Sequence, residues 1–220
     1  MTINNNELGE NMKKIYVILF LIIVIIGLNI YVYFNNKMPT QELSESEIKE
    51  LFYNIKKYNN IYVETITEGE NFKQVSKRYQ KNGIILTKEP DEKNTYIYWV
   101  NTNTNESLVI QEGHKVWYKS EIDDEDKNNY KFIEYEKYNK AKCAVVQITT
   151  GNNETNRNTN DIEGKAWVDL KTGVILKMEY KNDQGEEYKS YSNIILNKVK
   201  DEDIVKPNLE GYTEWKMEQN

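Results

Sequence analysis

The sequence predicts a mainly β (α+β) chain: a membrane-spanning helix near the N-terminus, then a large curved antiparallel sheet or open barrel with a helix packed on it. Three observations carry that expectation. Residues 15–34 form an apolar run of bilayer length. A single amphipathic helical pattern follows at 45–58. Nearly everything beyond residue 60 consists of short β-branched and aromatic stretches separated by turn signals.

The apolar run is broken only by Gly27 and Asn29. At about 1.5 Å per residue it makes about 30 Å of helix, the thickness of a bilayer's hydrocarbon core. Residues 15–28 hold no residue charged at neutral pH, and Tyr31 and Tyr33 stand at the outer end, where amphipathic rings favour the interface. Lys13 and Lys14 precede the run and only Lys37 follows closely, which favours an N-terminus inside. The competing reading, a cleaved signal peptide, needs small residues at a cleavage site. The flank Tyr31-Val32-Tyr33-Phe34-Asn35-Asn36 supplies none, and no cysteine follows to carry a lipid. A buried core helix fits less well, because the run is apolar on every face. The expected organisation is a cytoplasmic tail at 1–14, an anchor at 15–34, a linker at 35–43 and one extracytoplasmic domain at 44–220. This describes a single-pass cell-membrane protein.

Ser44 and Glu47 form a capping box ahead of Ile48, Leu51, Phe52 and Ile55, which recur at helical spacing. Strands are expected at 61–68, 72–80, 84–88, 95–101, 107–112, 115–120, 143–150, 165–170, 174–181 and 186–196. Lys81-Asn82-Gly83, Lys171-Thr172-Gly173 and Asp183-Gln184-Gly185 read as turns between neighbouring strands, hence hairpins and an antiparallel sheet. Residues 121–129 and 151–164 are polar and read as exposed loops.

Composition excludes several functions. The chain has 220 residues, 29 basic and 35 acidic, for a net charge of −6. Glu7, Glu10, Lys13 and Lys14 cancel, so the whole excess belongs to residues 35–220, which anionic lipid repels. Only Arg78 and Arg157 are arginines, which argues against nucleic-acid binding. One Cys and one His exclude a disulfide framework and multi-Cys or multi-His metal sites, and no cofactor is expected. Heavy use of Lys, Asn, Ile and Tyr is the codon signature of an AT-rich bacterial genome.

Individual candidates for chemistry are weak. His114 follows Gly113 in a turn, without a nucleophile or orienting group in its sequence context. Cys143 starts a strand and reads as a half-buried small side chain. Asp124, Asp126 and Asn128 have the spacing of a calcium loop. The sixth position is Asn129 and the twelfth Tyr135, so a solvated acidic loop is the simpler reading. Asn105-Glu106-Ser107 and Asn153-Glu154-Thr155 match the glycosylation pattern by the chance expected of an Asn-rich chain.

Residues 164–207 are the most distinctive part of the chain. They carry Gly164, Trp167-Val168-Asp169, Lys171-Thr172-Gly173, Leu176-Lys177, Tyr180, Gly185, Asn193-Ile194, Asp201, Ile204 and Pro207. This stretch resembles the C-terminal hairpins of the LolA-like family, the outer-membrane lipoprotein carriers. The resemblance extends loosely over 45–207. The strand opening Cys143-Ala144-Val145-Val146 resembles Gram-positive relatives, among them sporulation and germination lipoproteins of the GerS type. The resemblance implies a half-barrel of antiparallel strands with helices over its concave, apolar face. Carriers hold acyl chains there, and GerS-type members bind partners, a spore-cortex amidase among them. Two departures separate this chain from the family. It is tethered, so it cannot shuttle, and it lacks the N-terminal lipid-bearing Cys.

The densest aromatic stretches are 96–100 and 116–118, which nominate Tyr96, Tyr98, Trp99, Trp117 and Tyr118 as ligand- or partner-binding residues. Alternation sends Ile97 and Trp99 to one face and Tyr96, Tyr98 and Val100 to the other. Ordinary packing beneath the helix is the competing reading of the same residues. No catalytic or metal residue is nominated. The expected function is non-enzymatic: binding an envelope partner protein, such as a cell-wall amidase, in spore germination or cortex remodelling. The alternative is a carrier or sensor holding a lipid or lipoprotein acyl chain.

Overall fold

The computed structural model describes residues 20–30, 32, 37–91, 93–120, 128–150, 163–182 and 184–215. The expectations placed on 1–14, on residues 15–19, 31, 33 and 34 of the apolar run, on the acidic loop at 121–127 and on the loop at 151–162 lie outside them. The chain divides into two compact units between Thr40 and Gln41. In the first, residues 20–30 are helical, and their large apolar side chains are exposed. Asn29, the one polar residue of this stretch, donates its side-chain amide back to the Ile25 carbonyl at 2.8 Å, so its polar group is satisfied within the helix. Among the described residues no helix is long and apolar enough to cross a membrane.

The second unit is built on one sheet of twelve strands in the order β12-β6-β5-β4-β3-β2-β1-β11-β10-β9-β8-β7. The strands are β1 (Asn60–Glu68), β2 (Lys73–Lys81), β3 (Ile84–Pro90), β4 (Thr95–Asn101), β5 (Glu106–Gln111), β6 (Val116–Lys119), β7 (Asn128–Tyr138), β8 (Ala141–Thr150), β9 (Glu163–Asp169), β10 (Ile175–Lys181), β11 (Glu187–Leu196) and β12 (Thr213–Glu214). The chain meanders from the middle of the sheet to one side through β6. It resumes at the opposite edge with β7 and returns until β11 pairs antiparallel with β1. Only β12 runs parallel to its neighbour, β6.

Two of these strands are absent from the sequence expectation. In β7 the apolar residues Tyr130, Phe132 and Tyr135 break strict alternation, because a register shift between Phe132 and Glu134 inserts one extra residue. β12 is two residues long and carries no periodicity.

Helix α1 (Glu45–Tyr53) starts where the capping box places it. The Ser44 amide donates to Glu47 Oε2 at 2.8 Å, and the Glu47 amide reaches Ser44 Oγ at 3.4 Å. The helix is shorter than the expected 45–58, since its last turn tightens to a 3₁₀ turn at Asn54–Lys57. Ile48 and Leu51 sink into Ala144, Val146 and Ile148 of β8 and Ala166 and Val168 of β9, with Phe52 against Tyr130. The β9–β10 turn locks the helix down. Asp169 accepts from the Thr172 amide (3.1 Å) and hydroxyl (2.6 Å), and Gly173, at φ +72°, passes beneath the Leu51 carbonyl.

The other half of the sheet builds its core on the opposite face. After β11 an arm over residues 197–212 crosses it, containing a 3₁₀ turn at Asp201–Ile204. The Asn60 side chain clamps the start of this arm, donating to the Val199 carbonyl (2.8 Å) and accepting from the Val199 amide (2.9 Å). Val199 and Ile204 pack on Tyr62 and Tyr79. Leu209 and Tyr212 pack on Leu86, Ile97, Trp99, Leu108 and Ile110. The two largest clusters of the sheet thus lie on opposite faces, one under α1 on β7–β10 and one under the arm on β2–β6.

Candidate functional site

Strand register decides which of the nominated aromatic residues share a face. Tyr118 stands opposite Val109, Val109 opposite Tyr98, Tyr98 opposite Thr87, Thr87 opposite Arg78, and Arg78 opposite Val63. Directly opposed residues point to the same side, so these six form one row across β6 to β1, on the face that carries α1. Tyr96 lies on the same face one row along, opposite Glu89. Trp99 and Trp117 point the other way. Trp99 is 4% exposed beneath the arm and donates its indole N–H to the Ile204 carbonyl at 3.2 Å. Trp117 joins the same cluster. The five nominated residues therefore divide into three tyrosines on the helix face and two tryptophans in the core under the arm.

The helix face of β2–β6 is polar as well as aromatic. Tyr96, Tyr98 and Tyr118 are half-buried. Burial lifts the Tyr98 phenol above its ordinary value, helped by Glu89, Tyr118 and Tyr96, and burial with Tyr96 does the same at Tyr118. The Glu89 carboxyl is also pushed up by burial. Trp215, just past β12, stacks edge-on against Tyr118 at 5.6 Å and closes the row at the sheet edge. Beyond the row, hydroxyl pairs bridge β1 to β11: Thr65 with Ser192 at 2.8 Å and Thr67 with Ser190 at 2.9 Å.

Sequence reasoning missed Arg78. Its Nη2 donates to Gln80 Oε1 at 2.9 Å, and its Nε is buried without a hydrogen-bond partner. Burial pushes its pKa down, and it forms no ion pair with a described carboxylate. Gln80 is fixed from above: its amide donates to the carbonyls of Ile55 and Tyr58, each at 2.9 Å. The available signal was an isolated arginine in a chain that otherwise uses lysine, at a strand position facing the same side as Val63 and Gln80.

Two hollows lie elsewhere. One of about 850 Å³ sits between the β1–β2 and β10–β11 turns, against Glu68, Phe72, Glu186 and Tyr188. The second, of about 710 Å³, adjoins it along Gly164, Tyr180 and Tyr188. Both are open to solvent, and the larger is lined mainly by turn residues, whereas register fixes the tyrosine–arginine row. Among the described residues no cluster of three or more His, Cys, Asp or Glu side chains could hold a metal ion. Cys143 is fully buried, and burial with nearby Asp169 pushes its thiol to about 11, far from a thiolate at neutral pH. His114 lies in the exposed β5–β6 turn. What this face offers chemically is aromatic surface, hydroxyl groups, the Arg78 cation and, one row along, the Glu89 carboxyl.

No family model and no curated protein matches the sequence. Solved structures do resemble it. An uncharacterised conserved protein from Thermus thermophilus aligns over 79% of this chain and 100% of its own, at 8% identity and a TM-score of 0.50. A LolA superfamily protein from Nitrosomonas europaea aligns over 74% and 98%, at 8% identity and a TM-score of 0.38. The Pseudomonas aeruginosa MucA/MucB complex aligns over 73% of this chain and 60% of the neighbour, at 10% identity and a TM-score of 0.45. The chain thus spans about three-fifths of that last neighbour. At such identities the likeness concerns the fold alone.

Proposed function

We propose that this chain is a non-enzymatic binding protein of LolA-like architecture, held at the cytoplasmic membrane by residues 15–34, with its sheet domain outside. Its helix face on β2–β6 engages a partner protein of the bacterial envelope. The finer form of the reading places that partner in spore germination or wall remodelling, a cell-wall amidase being one fit. One observation carries the reading: the Tyr118–Val109–Tyr98–Thr87–Arg78 row is fixed by five strands and presents aromatic, hydroxyl and cationic groups together. Such mixed surfaces, with tyrosine and arginine anchors, suit protein recognition.

The second reading, a lipid or acyl-chain binder, draws on the apolar content of the row. It fits less well, because an acyl chain would desolvate Thr87, the paired Thr and Ser hydroxyls and the Arg78 guanidinium without replacing their hydrogen bonds. A photo-crosslinking side chain at Tyr98 of the full-length chain, in its native membrane, separates the two. A protein adduct, lost when the probe is moved to Lys198 on the arm, is the expected result. A lipid adduct would favour the carrier reading, and no adduct at all would overturn both. Extraction of membranes at high pH tests the anchor: the chain stays with the bilayer if residues 15–34 span it.

A further inference from the structure

We infer that Arg78 is a carboxylate-binding group and that the helix-face row is the bed for an acidic polypeptide segment. The inference rests on the protein-binding reading above and names the chemistry it would use. The guanidinium carries five N–H donors and a permanent charge. In the described structure its only hydrogen bond is to a neutral amide, Gln80 Oε1, and its Nε is sealed off without a partner. Nη1 makes no described hydrogen bond, and the residue as a whole is only partly buried. An arginine desolvated on one side and unpaired on the other attracts an anion more strongly than a surface lysine, since fewer waters screen the pair.

Gln80 makes the group directional. Both donors of its amide go to the backbone after α1, which leaves Oε1 aimed at Arg78 and limits how far the guanidinium can turn. From Arg78 to Tyr118 the row crosses four strand spacings, about 19 Å at ~4.8 Å each. An extended peptide of about six residues covers that distance at ~3.3 Å per residue. The phenol hydroxyls of Tyr98 and Tyr118 have no described hydrogen-bond partner and stand along the path, where they suit a peptide backbone better than a hydrocarbon tail.

Arginine side-chain NMR tests this on the full-length chain in nanodiscs, because two arginines give two Nε–H resonances and Arg157→Lys assigns them. Acetate, a six-residue acetylated peptide ending in glutamate, its glutamine and carboxamide analogue, dodecanoate and inorganic phosphate serve as probes. The Arg78 resonance should shift saturably with acetate and with the acidic peptide, the peptide binding about tenfold or more tightly, as one or two extra contacts allow. The neutral analogue should leave it in place. Tyr98→Ala with Tyr118→Ala should remove the peptide's advantage and keep the acetate shift. An unmoved Arg78 resonance, or one answering to phosphate alone, overturns the assignment. Tighter binding of dodecanoate than of the peptide overturns the polypeptide source. The Tyr98 crosslink keeps the two proposals apart. If R78K retains the protein adduct at full yield, the carboxylate role fails while the partner-binding reading stands.

Discussion

At the scale of single residues, the turn that holds α1 is buried at Thr172, Gly173 and Val174 and tolerates little change. A methyl group on Gly173 would lie 2.1 Å from the Leu51 carbonyl oxygen, and the position already has φ +72°. Gly173→Ala should therefore cost about 3 kcal/mol or more in urea unfolding, combining left-handed strain with a collision against fixed backbone. Cys143 makes the other residue-scale prediction. Its folded thiol titrates near 11 against 9.0 for the free group. Above pH 9 the unfolded chain loses this proton while the folded chain keeps it, so stability falls between pH 9 and 11. The slope is at most about 1.4 kcal/mol per pH unit, and Cys143→Val should flatten it in alkaline melts. The role of the Lys171-Thr172-Gly173 turn was legible in the residues. Its position against Leu51 was not, because nothing local says which helix a turn will meet.

At the scale of elements, legibility followed how local the causes were. The capping box and apolar stripe of α1 lie within a dozen residues, so the helix start was readable and only its last turn differed. Alternation within β4 separated Tyr96 and Tyr98 from Trp99. Placing Trp117 with Trp99 needed the register of β4 on β5 and of β5 on β6, which pairs Trp99 with Leu108 and Ile110 with Trp117. Two turns between those strands set that register, and their residues do not announce their geometry. β7 was hidden by its bulge, and the arm by having almost no regular structure. That arm nevertheless covers the cluster of Leu86, Ile97, Trp99, Leu108 and Ile110. Ile204→Ala, removing a side chain 6% exposed against Tyr62, Tyr79 and Ile84, should lower stability by about 2–4 kcal/mol in denaturant titrations.

At the scale of the whole molecule, the sheet is covered in opposite senses: α1 on one face of β7–β10, the arm on the other face of β2–β6. The pair that joins the halves, β1 with β11, is the most protected, with strands on both sides and contacts to both layers. Hydrogen exchange should find the slowest amides in Ile61–Val63 and their partners Ile194–Leu196, and much faster ones along β7 and β12. Uniform protection across all twelve strands would contradict two half-cores meeting at that seam. In the β2–β6 half the arm covers the face opposite the tyrosine–arginine row.

The parallel stub β12 changes what the sheet offers to strangers. The carbonyls of Lys115 and Trp117 accept from the amides of Thr213 (2.9 Å) and Trp215 (2.7 Å). Thr213, Glu214 and Trp215 thereby blunt a raw edge that would otherwise invite templated association with another molecule. The same short segment caps the open side of β6 and sets Trp215 edge-on against Tyr118, so edge protection and the end of the aromatic row share one piece of chain.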